Sequence, residues 1–211
     1  MSLPSIILIG GGGHCISCID VIMATGKFHI AGILDVKEKV GSTILNIPVI
    51  GTDDDIAMLK SKYDLFFVTV GQVKTASVRR KIFQSLEQNG LTAPVIISPS
   101  AYVSPFAKID AGTIVMHGAI VNAEAGIGKN CIINSKALIE HEATIGDHSH
   151  ISTAAVCNGQ VKIGESVFVG SNATLHQNIT IGDNVVIAAG AVVRKNIPAN
   201  KTVVGNPAIF K

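Results

Sequence analysis

Branched aliphatic residues recur at every sixth position through the second half of the chain. The register runs unbroken from Ile97 to Val193, and sixteen of its seventeen members are isoleucine, valine or leucine, with Cys157 as the exception. A period of six fits neither an α-helix nor an alternating β-strand. It is typical of a parallel β-helix, in which three short strands form one coil and the aliphatic side chains stack along the axis, and it predicts about five coils. The members are Ile97, Val103, Ile109, Val115, Val121, Ile127, Ile133, Ile139, Ile145, Ile151, Cys157, Ile163, Val169, Leu175, Ile181, Ile187 and Val193.

The first half of the chain alternates between short apolar runs and segments with helical spacing of their apolar residues. We expect strands at residues 5–10, 28–35 and 64–70, and helices at residues 16–24, 53–62 and 77–89. Strands that alternate with helices predict parallel βαβ units. We therefore expect two domains, a small Rossmann-like α/β domain at residues 1–92 and a β-helix with a C-terminal tail at residues 93–211.

Composition narrows the classes of function. The 17 basic and 15 acidic residues are dispersed and give a net charge of +2, so no basic surface for nucleic acid is indicated. The most apolar stretch, residues 185–193, is far shorter than a membrane span. The N-terminus lacks the basic and apolar regions of a secretion signal. We expect a cytoplasmic protein that binds neither nucleic acid nor membranes.

The four cysteines do not indicate disulfides or a metal site. Cys15 and Cys18 form a CxxC without a second pair, which favours packing on a helix over metal binding. Cys131 and Cys157 occupy positions of the repeat where a small or apolar core residue is expected.

A glycine run follows the first predicted strand and is the first candidate site. Gly10, Gly11, Gly12 and Gly13 precede His14, and Cys15 stands where the GxGxxG fingerprint would have its third glycine. This departure disfavours a nicotinamide cofactor, whereas the free N–H groups of such a turn suit a phosphate. Two further strand ends carry Asp35, and Gly71 with Gln72. We therefore expect a nucleotide site formed by Gly11, Gly12, Gly13, His14, Asp35, Gly71 and Gln72.

A histidine between two glutamates is the second candidate site. The segment Glu140–His141–Glu142 interrupts a run of small and aliphatic residues. Gly159 comes 18 residues after His141, which is one coil of the β-helix, so we expect it directly beside the histidine, where it leaves room for a substrate.

Taken together, these motifs resemble the sialic-acid O-acetyltransferase family of hexapeptide-repeat acyltransferases, whose β-helix is left-handed. The nearest likeness is to bacterial UDP-4-amino-sugar N-acetyltransferases of the bacillosamine pathway. The matching elements are the glycine run with His14, then Asp35, Gly71, Asn134, residues 139–142, residues 145–150, Gly159, Ile163 with Gly164, and residues 205–208. The segment after Val193 resembles the terminal segment that covers the end of the coil in this family.

The resemblance implies a role for each matching residue. It makes His141 the catalytic base and Glu142 the residue that orients it, without a metal. It assigns the nucleotide sugar to the glycine–histidine turn and to Asp35, although Val36 stands where relatives often have a second acidic residue. The expected acetyl-CoA site is Asn134, His150, Gly159, Gly170, Ala188 and Arg194. The family also implies a homotrimer with coenzyme A between adjacent β-helices.

The expected chemistry needs no covalent intermediate. Because a thioester is already activated, the enzyme has to position an amine, remove a proton and stabilise the oxyanion. A histidine titrates near neutral pH and typically contributes about 10² to 10⁴-fold as a general base. Either His150 or a backbone N–H near Gly159 is a candidate for the oxyanion.

Other functions remain open from the sequence. The chain has enough histidines for a γ-type carbonic anhydrase, namely His117, His141, His150 and His176, but no pair has the five-residue spacing of that family. A non-catalytic scaffold is a second alternative. Within the resembling family, O-acetylation of a sialic-acid-like sugar and N-acetylation of a GDP- or dTDP-linked amino sugar are also open.

Overall fold

The N-terminal part of the protein is a five-stranded, mostly parallel sheet with helices. The computed structural model describes residues 2–72 and 74–211. The strands are β1 (Ser5–Ile9), β2 (His29–Leu34), β3 (Thr43–Ile44), β4 (Ile47–Gly51) and β5 (Leu65–Val68), in the sheet order β3-β4-β2-β1-β5. The helices are α1 (Gly13–Thr25), α2 (Ile56–Leu59) and α3 (Ser77–Gln88). The sheet pairs β1 in parallel with β2 and β5, which confirms the predicted βαβ organisation.

Three local features differ from the sequence prediction. Helix α1 begins at Gly13, so the last glycine of the run is already helical. The predicted helix at 53–62 is a 3₁₀ turn at Asp53–Asp55 followed by the single turn of α2. The hairpin of β3 and β4 was not predicted, because β3 is two residues long and Pro48 interrupts the apolar pattern of β4.

The second part is the β-helix that the six-residue register predicts. Each two-residue strand points its first residue outward and its register residue into the core, as Ile120 and Val121 do. Strands 18 residues apart pair in parallel, for example Ile120 with Leu138. Ile97 differs from the prediction, since its side chain is 38% exposed. It belongs to the first coil, and no earlier coil covers it.

One face of the β-helix packs against the N-terminal sheet domain, and we call it the docked face. The outward residues Ile114 and Ile132 are buried in one apolar cluster with Cys18 and Ile22 of α1. The C-terminal segment extends this face, because Thr202 and Val203 pair in parallel with Val186 and Ile187. Its strands are β6 (Ile96–Ile97), β9 (Ile114–Val115), β12 (Ile132–Ile133), β15 (His150–Ile151), β18 (Phe168–Val169), β21 (Val186–Ile187), β23 (Thr202–Val204) and β24 (Ile209–Phe210).

The other two faces are not covered by any part of residues 2–72 and 74–211, and they differ in chemistry. The apolar face comprises β7 (Tyr102–Val103), β10 (Ile120–Val121), β13 (Leu138–Ile139), β16 (Val156–Cys157), β19 (Thr174–Leu175) and β22 (Val192–Val193). The polar face comprises β8 (Lys108–Ile109), β11 (Gly126–Ile127), β14 (Thr144–Ile145), β17 (Lys162–Ile163) and β20 (Thr180–Ile181). The outward residues of the apolar face include Tyr102, Ile120, Leu138 and Val156, whereas Lys108 and Lys162 point outward from the polar face.

None of the helices in residues 2–72 and 74–211 has the length and apolar character needed to cross a membrane.

Candidate active site

The glycine turn lies at the N-terminus of α1 and is open to solvent. Gly12 is the N-cap and has no side chain that could satisfy the first N–H groups of the helix. A Cβ atom added to Gly12 or Gly13 would meet no atom within 4 Å. Unsatisfied N–H groups and the positive end of the helix dipole therefore face free space, which is the arrangement that binds phosphate groups.

Asp35 braces this turn from the end of β2. Its Oδ2 atom accepts a hydrogen bond from the N–H of Gly11 at 3.1 Å and one from Nζ of Lys39 at 2.7 Å. Its Oδ1 atom accepts from the N–H of Val36 at 2.8 Å. Burial alone would raise the pKa of Asp35, but these hydrogen bonds, led by that of Lys39, lower it below its usual value. Asp35 is therefore ionised and fixes the backbone of the turn.

A cavity of about 540 Å³ joins the glycine turn to the β-helix. All seven residues predicted for the nucleotide site line it, together with Lys39, Thr69, Asn134 and His150. Nε2 of His14 is buried without a hydrogen-bond partner among the described residues. Burial, and then the charge of Arg79, lowers the pKa of His14 to about 4, so the ring is neutral.

The hydrogen bonds of His150 define its tautomer. Nδ1 donates to the backbone carbonyl of Gln72 at 2.9 Å, so Nε2 is the acceptor of the hydrogen bond from Nδ2 of Asn134, at 3.1 Å. Burial lowers the pKa of His150 to about 3, against the opposing effect of the Gln72 carbonyl. The N–H of Ser135 in turn fixes Oδ1 of Asn134 at 2.8 Å. His150 thus presents no free N–H, whereas Asn134 keeps a second amide proton.

Arg79 of α3 is buried between the two domains. Its side chain is 1% exposed, and its guanidinium contacts the carbonyl oxygens of Asn130 and His148. Nη2 also donates to Oε1 of Gln72 at 2.6 Å, and Nε2 of Gln72 donates to the carbonyl of Ser166 at 3.2 Å. Both ends of the Gln72 amide therefore make hydrogen bonds within the protein.

His141 lies at the edge between the apolar and polar faces, directly after β13. Its Nδ1 donates to Oε2 of Glu142 at 3.1 Å, which leaves the lone pair of Nε2 free. The hydrogen bond from His141, followed by one from Gln160, lowers the pKa of Glu142 and keeps it ionised. A Cβ atom on Gly159 would lie 2.6 Å from Nε2, so the glycine does lie beside the histidine. The pair has the tautomer and the open space that a general base needs.

The two candidate sites lie at opposite edges of the apolar face within one chain. Asn134, Gly170 and Ala188 follow strands of the docked face, whereas Gly159 and Arg194 follow strands of the apolar face, at the same edge as His141. The cavity at the glycine turn contains Asn134 and His150 but not His141. A single chain therefore does not bring the predicted base to the predicted nucleotide site.

Two family profiles match the sequence. Residues 5–86 match the PglD N-terminal domain, and residues 160–195 match the bacterial transferase hexapeptide repeat. No curated protein sequence matches the chain.

Solved structures of similar proteins align with the whole chain, among them two complexes with CoA or acetyl coenzyme A. One is PerB of Caulobacter crescentus, a perosamine N-acetyltransferase in complex with CoA and GDP-perosamine, with 32% identity, a TM-score of 0.93, and coverage of 100% of this chain and 98% of that one. The other is the acetyltransferase domain of PglB from Neisseria gonorrhoeae in complex with acetyl coenzyme A, with 31% identity, a TM-score of 0.91, and coverage of 100% of both chains. This chain belongs to the PglD-like family of hexapeptide-repeat sugar acetyltransferases. The prediction of a left-handed β-helix enzyme that uses acetyl-CoA is confirmed.

Three residues near the candidate sites of this PglD-like enzyme were missed in the sequence. Lys39 is four residues after Asp35, a spacing that joins them across the 3₁₀ turn at Lys37–Lys39. Gln160 is 18 residues after Glu142, the same one-coil step that identified Gly159. Arg79 carried no comparable signal, because only the docking of α3 on the β-helix buries it.

The histidines considered for a zinc site are dispersed in the fold. His117 is bound to Asp20 of α1 through Nε2, at 3.0 Å, and to Ser98 through Nδ1, at 2.6 Å. Within residues 2–72 and 74–211 no group of three or more His, Cys, Asp or Glu side chains is arranged to hold a metal ion.

Proposed function

We propose that the protein transfers the acetyl group of acetyl-CoA to the 4-amino group of a UDP-linked amino-deoxy sugar, with His141 as the general base. The observation that carries the proposal is the His141–Glu142 pair. Its Nδ1–H is bound to Glu142, and its free Nε2 faces the space beside Gly159. Such a base accepts a proton at Nε2 without losing its orientation.

The proposed reaction is a direct attack. The amine nitrogen bonds to the thioester carbonyl carbon and its proton passes to Nε2 of His141. Collapse of the tetrahedral intermediate breaks the C–S bond, and the proton returns to the leaving thiolate. For the oxyanion we propose the N–H of Gly159, because it makes no hydrogen bond within residues 2–72 and 74–211, whereas both ring nitrogens of His150 are occupied.

We propose that the cavity at the glycine turn binds the nucleotide sugar. The pyrophosphate fits the free N–H groups at the start of α1, and Nζ of Lys39 adds a positive charge at the same turn. Of the relatives, PerB is in complex with a nucleotide-linked amino sugar, which supports a substrate of this class. The choice of UDP rests on the likeness of the site motifs to the bacillosamine-pathway enzymes. We assign this function to residues 1–92 and acetyl transfer to residues 93–211.

We also propose a homotrimer with composite active sites. Among the described residues nothing covers the apolar face, and Ile120 on it is 40% exposed. Burial of that face against a neighbouring chain around a threefold axis would bring its His141 edge to the Asn134 edge of the next chain. The acetyl-CoA residues Asn134, His150, Gly159, Gly170, Ala188 and Arg194 would then line one cleft between two β-helices. Because acetyl-CoA is a cytoplasmic metabolite, we place the enzyme in the cytoplasm.

A substrate panel tests the proposed function. Purified protein is assayed for acetyl-CoA consumption with UDP-, GDP- and dTDP-linked 4-amino sugars and with CMP-sialic acid, and the products are identified by mass spectrometry. We expect an N-acetylated UDP-linked sugar to form with the highest kcat/KM. A preference for the GDP- or dTDP-linked sugar would correct the nucleotide, and acetylation of a hydroxyl group alone would overturn N-acetyl transfer.

A further inference from the structure

Gln160 contacts both members of the His141–Glu142 pair. Its side-chain Nε2 donates to Oε2 of Glu142 at 3.0 Å, and its backbone N–H donates to the carbonyl of His141 at 3.0 Å. The residue occupies the corner position of the next coil, 18 residues after Glu142. One residue of the neighbouring coil therefore holds both the backbone of the histidine and the carboxylate beside it.

Glu142 needs such a contact because it is exposed. A carboxylate at the protein surface can rotate away from its partner, and exposed ion pairs are weak for that reason. Here the hydrogen bonds from His141 and Gln160 meet on the same oxygen, Oε2. A rotation that breaks the contact with Gln160 therefore also moves the acceptor away from Nδ1 of His141.

The donor on Gln160 is a neutral amide, which suits this task. A lysine or arginine would hold the carboxylate equally well but would neutralise its charge. An amide donates a hydrogen bond and leaves the negative charge of Glu142 available to the imidazolium that forms during proton transfer. A second amide–carboxylate contact lies nearby, since Nδ2 of Asn122 in the preceding coil donates to Oε2 of Glu140 at 3.0 Å. Glu140 contacts the backbone N–H of His141 and not its ring.

We propose that Gln160 is a positioning residue for acetyl transfer, which holds the Glu142 carboxylate in the orientation that fixes the His141 tautomer. The inference rests on the proposed function of His141 as the base. Gln160 acts in this proposal through its contacts with Glu142 and His141.

A double-mutant cycle tests this role. Gln160 has a positive φ of 60°, which is strained for any residue other than glycine. Gln160→Met leaves this backbone strain unchanged and removes only the side-chain amide. We expect Gln160→Met to lower kcat about three- to tenfold, the effect of one lost hydrogen bond, without changing KM for either substrate. In a Glu142→Ala background the same substitution should have no further effect, because Gln160 acts through Glu142.

Gln160→Glu gives an independent readout. It places a second carboxylate beside Glu142, so the imidazolium of His141 is favoured and the acid limb of the kcat–pH profile should move to higher pH. The matched control is Asn184→Asp, the same amide-to-carboxylate change at an exposed corner with φ of 56° between the polar and docked faces, where kcat should stay within about twofold of wild type.

Two outcomes would overturn the inference while leaving the base in place. An equal loss of kcat from Gln160→Met in both backgrounds would show that the residue only stabilises the coil, and no loss in either would show that Glu142 needs no anchor. His141→Ala serves as the separate check, because an active His141→Ala enzyme would refute the proposed function itself.

Discussion

Gly159 lies so close to His141 that a Cβ atom on the glycine would be 2.6 Å from Nε2 of the imidazole. Under the proposed function, any side chain at this position would occupy the space in which the acceptor amine approaches His141. The register of the β-helix produces the contact, since residues 18 apart stack on successive coils.

We therefore expect Gly159→Ala to lower kcat by about tenfold or more, because a displaced base costs alignment in the transition state. The thermal unfolding temperature should change little, because the methyl group meets an exposed imidazole that can move. The matched control is Gly126→Ala in the same β-helix, whose added Cβ would have an ordinary contact of 3.9 Å with Thr144. If Gly159→Ala keeps the wild-type kcat, the substrate does not approach His141 from the side of Gly159.

The glycine turn predicts a second result, on nucleotide binding. Asp35→Ala removes the acceptor of the Gly11 N–H and of Lys39, so we expect UDP binding to weaken in titration calorimetry. Gly13→Phe should abolish binding without unfolding the protein, since its side chain points into open space. Lys27→Ala, beyond the end of α1, is the control. Unchanged UDP affinity in both site variants would place the nucleotide elsewhere.

Burial lowers the pKa values of His14, His148 and His150, which predicts how the free energy of unfolding depends on pH. The folded-state pKa values of His14 and His150 are about 4 and 3, below the ordinary value of 6.5. The unfolded chain therefore binds more protons in this range, and the free energy of unfolding should fall as pH drops from about 6.5 to about 4. In urea titrations across this range, His14→Asn should make the decline shallower, whereas exposed His29→Asn should not. An identical slope for wild type and His14→Asn would contradict the burial argument.

The split of the two sites across the apolar face predicts complementation between inactive chains. His141→Ala and Asn134→Ala change opposite edges of the apolar face. A homotrimer made of either variant alone should therefore be nearly inactive. Random trimers formed from an equal mixture should recover up to about a quarter of wild-type activity, because one site in four combines two intact edges. No recovery in refolded mixtures would indicate a site within one chain.

The sequence predicted features that depend on local periodicity and missed those that depend on docking. The register from Ile97 to Val193 defines the coils, and the 18-residue step alone placed Gly159 beside His141. The same step applied to Glu142 would have found Gln160. Arg79 could not be found in this way, because its burial results from the packing of α3 on the β-helix. The hairpin of β3 and β4 was missed because β3 is only two residues long and Pro48 interrupts the apolar pattern of β4.

The central claim is that His141 is the base for acetyl transfer to a nucleotide-linked amino sugar. The most direct measurement compares kcat of wild type, Glu142→Ala and His141→Ala at saturating acetyl-CoA and UDP-4-amino sugar, with circular dichroism to verify folding. The account predicts that kcat falls about 10²-fold or more in His141→Ala and less in Glu142→Ala, which loses only the orienting contact. A folded His141→Ala protein with more than half of the wild-type kcat would contradict it.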